Sequence, residues 1–292
     1  YTPDDGNVRG IVQIVHGMAE YVERYENLAE FLTKRGILVT GEDHLGHGKS
    51  VSEGGSFGYF CEQDPATVVV RDVHRLKKIT EEQYPQVPYI ILGHSMGSFI
   101  ARNYLCRYGS GIGGAVIVGT GMQSSGLIFA SKAMAGIQKL FCGSKHVSHF
   151  IDKAAFGGYN KRIDSPRTSS DWLSRNTDNV DRYIADELCG FTFTVNGFQT
   201  LFELIRRLQK QENLEKVPQN LPILMVSGAE DPVGDYGKGV HKACDSLKRA
   251  GVKNIIVKLY ENDRHELLNE DDAEAAMEDI WQWICKEVPG IS

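Results

Sequence analysis

Apolar residues follow two periods along most of this chain. Residues 10–15 are a short apolar run of the kind found in a strand buried on both faces. From 21 to 35 the apolar residues fall at 21, 22, 25, 28, 29 and 32, a helical face, and Gly36 follows as a stop. The pattern repeats: a strand at 37–40, a helix at 66–82 carrying Val69, Val73, Leu76 and Ile79 or Thr80, a strand at 89–92, and a helix with Met96, Phe99, Ile100, Tyr104 and Leu105. A strand at 114–118 follows. Such unbroken alternation predicts an α/β fold with a mostly parallel central sheet flanked by helices.

The alternation stops at about 121 and resumes at Pro222. In between, residues 127–141 are apolar nearly all round, 171–187 are polar with helical character, and 191–208 are rich in Phe, Leu and Ile. This block reads as an inserted helical lid over 121–216, with 1–120 and 217–292 forming the core. The resumed pattern predicts a strand at 223–226, a helix at 237–250, a strand at 253–259 and a last helix at 271–287 that packs Ala273, Met277, Ile280, Trp281 and Ile284. No internal repeat is present.

Composition narrows the partners. The 292 residues suffice for one large core, and 24% charged with 41% hydrophobic residues is ordinary for a globular protein. A net charge of −6 argues against nucleic acid, which needs a basic surface. Cys61, Cys106, Cys142, Cys189, Cys244 and Cys285 form no close pair, so free thiols in a reducing, cytoplasmic setting are expected. No apolar run reaches the roughly 18 residues of a membrane span, and no signal peptide is visible. The chain begins at Tyr1 without methionine, so upstream sequence is expected to be missing, and a removed signal stays open.

The candidate chemistry centres on Gly93-His94-Ser95-Met96-Gly97, wedged between a buried strand and an amphipathic helix. A turn that tight strains the central residue, and the two glycines leave room for it; Ser95 is then held clear of the backbone as a nucleophile elbow. A serine hydroxyl needs a general base, and the base needs a carboxylate to orient it. In a parallel sheet such groups gather beyond the carboxyl ends of the strands. His265 and Asp231 both follow strands, and the order Ser95, Asp231, His265 fits an α/β-hydrolase. Of the rival carboxylates, Asp235 reads as the start of the next helix, and Asp263 is too near His265 in sequence to reach its far ring nitrogen. His74 and His241 read as helix residues. His146 and His149 have metal-like spacing but no further ligand, so they read as surface. The N–H groups of Met96 and Met18 are the expected oxyanion donors.

The strings HGMAEYVERY, DHLGHGKS, GHSMGS, SGAEDPV and NDRHELLNE resemble the monoacylglycerol lipase and lysophospholipase branch of the α/β-hydrolases, also labelled serine aminopeptidase S33-like. The resemblance spans nearly the whole chain. It implies the same roles for Ser95, Asp231, His265, Met18 and Met96. It also implies substrate-binding roles for Glu20 and Arg24 near the polar alcohol of the substrate, beside a plain reading of these two as the first turn of a surface helix. His44 and His47 match positions that look structural. The hairpin that usually precedes the oxyanion strand is absent except for a tail in residues 1–8, and the match fades in the lid.

The expected function is hydrolysis of single-chain lipid esters, monoacylglycerol or lysophospholipid, through an acyl-enzyme, with no cofactor and no metal. An apolar lid over Ser95 suits a fatty acyl chain, and the helix at 127–141 could touch membranes transiently. One alternative is an aminopeptidase using Asp186 or Glu187 for a free amino terminus. The other is a hydrolase-fold binding protein without turnover.

Overall fold

The computed structural model describes residues 1–291. Its centre is a six-stranded sheet: β1 (Gly10–Val15), β2 (Ile37–Gly41), β3 (Tyr89–His94), β4 (Gly114–Val118), β5 (Ile223–Gly228) and β6 (Ile255–Tyr260). All the pairs are parallel, in the order β2-β1-β3-β4-β5-β6. Among the described residues ten α-helices accompany it: α1 (Glu26–Thr33), α2 (Pro65–Gln83), α3 (Met96–Tyr108), α4 (Ser125–Cys142), α5 (His149–Phe156), α6 (Thr177–Ala185), α7 (Val195–Leu208), α8 (Gln211–Leu214), α9 (Lys238–Arg249) and α10 (Ala273–Glu287).

Both faces of the sheet are buried because successive side chains point to opposite sides. On β1, Ile11 and Val15 enter one core while Val12 and Ile14 enter the other. On β4, Ala115 and Ile117 oppose Val116 and Val118 in the same way. Helices α2, α3, α7 and α9 cover the first face; α1 and α10 cover the second. The polar exception on β1, Gln13, is fully satisfied: it accepts from the Tyr89 hydroxyl at 2.7 Å and donates to the Val73 carbonyl at 3.0 Å.

Several details differ from the periodicity. The helix expected over 21–35 begins as a tight 3-10 turn, Val22–Tyr25, whose first N–H is taken by the Asp43 carboxylate at 2.9 Å. Residues 171–187 give a 3-10 turn at Asp171–Leu173 and α6 in place of one helix. On α2, Ile79 is exposed and Thr80 is buried. On α10, Trp283 joins the core and Trp281 packs at its edge.

From Gly119 to Pro222 the chain adds no strand to the sheet, and Val147 and Thr194 make an isolated bridge. Helix α7 joins this block to the rest. One side packs on α3 and the other on α4, so Phe198, Leu201 and Leu204 are buried.

Candidate active site

The sheet order reverses direction between β1 and β3, so the loops leaving these strands diverge and open a crevice at their carboxyl ends. Ser95 stands there. Its backbone is strained, at φ 54° and ψ −121°. Sequence makes that strain tolerable locally. A side chain at Gly97 would run into the carbonyl oxygens of Val15 and His16, and one at Gly93 would strike the backbone of Gly97. The turn is then pinned from outside: Ser95 N–H donates to the Val118 carbonyl at 3.0 Å, and the Ser98 hydroxyl donates to the Ser95 carbonyl at 2.5 Å.

His265 and Asp231 come together beyond β6 and β5. The His265 Nδ1 lies 3.0 Å from Asp231 Oδ2, and their side chains are 2% and 0% exposed. The other carboxylate oxygen accepts from the Val233 N–H at 2.8 Å, and the Ser227 hydroxyl donates to Oδ2 at 3.2 Å. These donors satisfy a buried carboxylate and fix its direction, which in turn fixes the imidazole. Asp263 pairs instead with Arg175, and Asp235 lies 3.8 Å from the Lys242 ammonium.

Met96 is the first residue of α3, and the leading N–H groups of a helix have no intrahelical acceptor. Met18 sits in the loop after β1. A histidine cluster holds that loop from below. His16 Nε2 accepts from His44 N–H at 2.9 Å, His16 Nδ1 lies 2.9 Å from the Gly17 carbonyl, and His44 Nε2 lies 3.1 Å from the His16 carbonyl. Burial pulls the imidazoles of His44 and His47 down to about 4 and about 3, and His16 well below its ordinary value. The cluster is neutral near neutral pH.

Ser95, His265, Met18 and Met96 all border one cavity of about 920 Å³. Its far wall is apolar, drawn from α4 and α7: Leu127, Ile128, Met134, Leu201, Phe202 and Ile205. Glu20 touches the cavity, but its carboxylate is buried and engaged by protein groups. Arg24 is absent from the described lining, and its side chain is only 9% exposed in an ion pair with Glu266. Neither is the surface residue of the plain reading. Asp186 and Glu187 are likewise absent from the described lining; Asp186 accepts from the Tyr21 hydroxyl at 2.8 Å.

Several site residues escaped the sequence reading. The Trp172 ring packs 5.1 Å from the His265 ring and 4.8 Å from Tyr159. Tyr183 and Glu266 border the cavity as well. A lone tryptophan in a polar stretch was the one available signal for the first; nothing local marks the others. Among the described residues no group of three or more His, Cys, Asp or Glu side chains could hold a metal ion, and no helix is long and apolar enough to cross a membrane. His146 and His149 are exposed.

Known proteins resemble this chain over nearly its whole length. A family model described as "Serine aminopeptidase, S33" matches residues 6–272. The chain is 27% identical to a monoglyceride lipase of Rattus norvegicus, covering 99% of this chain and 86% of that protein. It is 28% identical to a monoacylglycerol lipase of Mycolicibacterium smegmatis, covering 97% and 90%. Among solved structures, a thermostable carboxyl esterase from Bacillus coagulans in complex with glycerol superposes with a TM-score of 0.91 at 31% identity, covering 99% and 93%.

Proposed function

We propose, because this chain belongs to the serine aminopeptidase S33 family of α/β-hydrolases, that it is a serine carboxylic-ester hydrolase acting on single-chain lipid esters, monoacylglycerols or lysophospholipids. The observation that carries this reading is the meeting of a buried, oriented Asp231–His265 pair and the strained Ser95 on one cavity whose opposite wall is apolar. Relatives named for monoacylglycerol and monoglyceride lipase activity support the substrate class.

In this mechanism His265 takes the Ser95 proton as Oγ attacks the ester carbonyl. Asp231 keeps the receiving nitrogen of His265 aimed at Oγ and balances the imidazolium. The N–H groups of Met18 and Met96 face the oxygen that becomes negative, which supplies several kcal/mol in a dry site. The tetrahedral intermediate collapses: the C–O bond to the alcohol breaks, His265 returns the proton to that alcohol, and the acyl group stays on Ser95. Water, deprotonated by His265, then attacks the acyl carbon; the C–Oγ bond breaks, His265 returns the proton to Oγ, and the fatty acid leaves. The cycle as written uses only these side chains and water.

Residues 121–216 act as the lid. Each methylene the acyl chain buries against Leu127, Met134, Phe202 and Ile205 contributes about 0.8 kcal/mol, so chain length sets reactivity. The outer face of the same lid exposes Phe129, Ile137, Leu140, Phe141 and Phe150. So much exposed apolar surface suits transient contact with a membrane, the source of the substrate.

The test is hydrolysis of a panel of monoacylglycerols, lysophospholipids, p-nitrophenyl decanoate and proline-naphthylamide, with Ser95→Ala alongside. Ester turnover that falls to background in Ser95→Ala is expected. Near-wild-type turnover in that variant, or cleavage of the amide alone, overturns the reading.

A further inference from the structure

A buried cluster of charges lies behind the polar end of the cavity, and four separate segments meet in it. Glu20, from the loop after β1, accepts at Oε1 from the Gly17 N–H (2.5 Å) and the Tyr25 hydroxyl (2.7 Å), and at Oε2 from Arg24 (3.1 Å). The Arg24 guanidinium also donates to both oxygens of Glu266, at 2.6 and 2.8 Å, and to Asn179 Oδ1 on α6 at 3.2 Å. His94, the residue before Ser95, faces the Tyr25 hydroxyl (2.8 Å) and Glu20 Oε1 (3.2 Å) with Nδ1. With Nε2 it faces the His265 carbonyl at 3.1 Å.

Counting protons decides the state of His94. A carbonyl oxygen only accepts, so Nε2 carries a proton. The Tyr25 oxygen is 2.7 Å from Glu20 Oε1, and an ionised carboxylate only accepts, so the single Tyr25 proton belongs to that contact and the Tyr25 oxygen offers Nδ1 a lone pair. An ionised Glu20 offers lone pairs only. Nδ1 therefore carries a proton too. The other placement puts that proton on Glu20 and turns the Tyr25 hydroxyl toward a neutral ring. It leaves Arg24 and the Gly17 N–H facing an uncharged acid, and it sets an Nδ1 lone pair against Glu20 Oε1. It also moves a proton from the more basic imidazole to the less basic carboxyl.

We propose that His94 is held as an imidazolium paired with Glu20, and that this buried ion pair is a positioning device. It joins the oxyanion loop, the elbow and the loop bearing His265 into one unit. Its effect on turnover rests on the esterase reading above. With His94 charged, the cluster holds two cations, His94 and Arg24, against two anions, Glu20 and Glu266, and no net charge is stranded in the interior. The groups facing His94 are Glu20, Tyr25, Glu266 and the His265 ring, whose centroid is 4.7 Å away. Burial lowers the basicity of His94, but the hydrogen bond and charge of Glu20, then Glu266, lift it above its ordinary value. Burial alone would raise Glu20, yet His94 and Arg24 hold it well below the usual carboxylate range.

The test reads the proton itself. In the wild-type chain with isotopically labelled histidine, the His94 ring is assigned by through-bond correlation from its own backbone amide. Near neutral pH both ring nitrogens should show the chemical shift of a protonated nitrogen. An unprotonated Nδ1 there overturns the proposal, whatever the enzyme hydrolyses. For the positioning role, His94→Gln should lower kcat by about ten- to a hundred-fold with KM changed less than about two-fold, because alignment rather than uniform binding is lost. Unchanged kcat in a folded His94→Gln overturns that role. Wild-type ester turnover, measured separately, tests the esterase reading by itself.

Discussion

The floor of the cavity and its roof are made by opposite means. The floor, formed by the loops after β1, β2, β3, β5 and β6, is built around polar groups held by several partners each: Asp231 by three, Glu20 by four, His16 by two. The roof takes its apolar wall from α4 and α7, and on α4 many other apolar side chains face outward, Leu140 and Phe141 at 84% and 85% exposure. The floor holds atoms in place to within the reach of a hydrogen bond. The roof offers a surface whose individual contacts are interchangeable. Precision and adaptability are thus kept in separate parts of one chain.

That contrast breaks most visibly at the proposed triad. Asp231→Asn should lower kcat by about 10⁴-fold, because the imidazole loses its orienting acceptor while the fold survives. Steady-state kinetics with p-nitrophenyl decanoate checks this, and a loss smaller than ten-fold would sink the orienting role. Next in size is the elbow. Gly97→Ala should destabilise by about 3 kcal/mol or more, since its new methyl meets two backbone carbonyls that cannot move away. Urea unfolding measures it.

Acid should loosen the floor through the histidine cluster beneath it. The folded state keeps His44 neutral down to about 4, whereas the unfolded chain protonates near 6.5. The unfolded state therefore binds more protons between these values, and stability falls as pH drops through them. His44 alone accounts for about 3 kcal/mol by pH 4. Denaturant midpoints measured from neutral to acid should fall less in His44→Asn than in wild type, and equal slopes would refute the assignment.

The smallest effect on the fold belongs to the roof. Phe141→Ser should change stability by less than about 0.5 kcal/mol. Binding to phosphatidylcholine vesicles should weaken about ten-fold for each such side chain removed. Sedimentation with vesicles reads this directly, and unchanged binding would remove α4 from the membrane contact.

The elbow, the strand order of the candidate triad and the two-faced sheet were legible because they are local. The Gly93-to-Gly97 spacing encodes a turn, and apolar runs of five or six encode strands whatever their neighbours do. The helix over 127–141 was legible too, as an apolar element. Glu20 and Arg24 were visible only by resemblance, and their actual surroundings were not: Arg24 meets Glu266 across 242 positions. Trp172 and Tyr183 lay in a stretch that its composition marked only as polar and helical.

What the chain determines by itself is where its backbone turns and which faces are greasy, since steric freedom at glycine and the hydrophobic effect act on near neighbours in sequence. What only the tertiary structure decides is which buried charge meets which. Glu20 finds Gly17, Arg24 and Tyr25 within its own segment, but its meeting with His94, 74 positions away, and that of Arg24 with Glu266, 242 positions away, are made by the sheet as it brings separate loops to one rim. The same packing excludes the water that would otherwise have satisfied them.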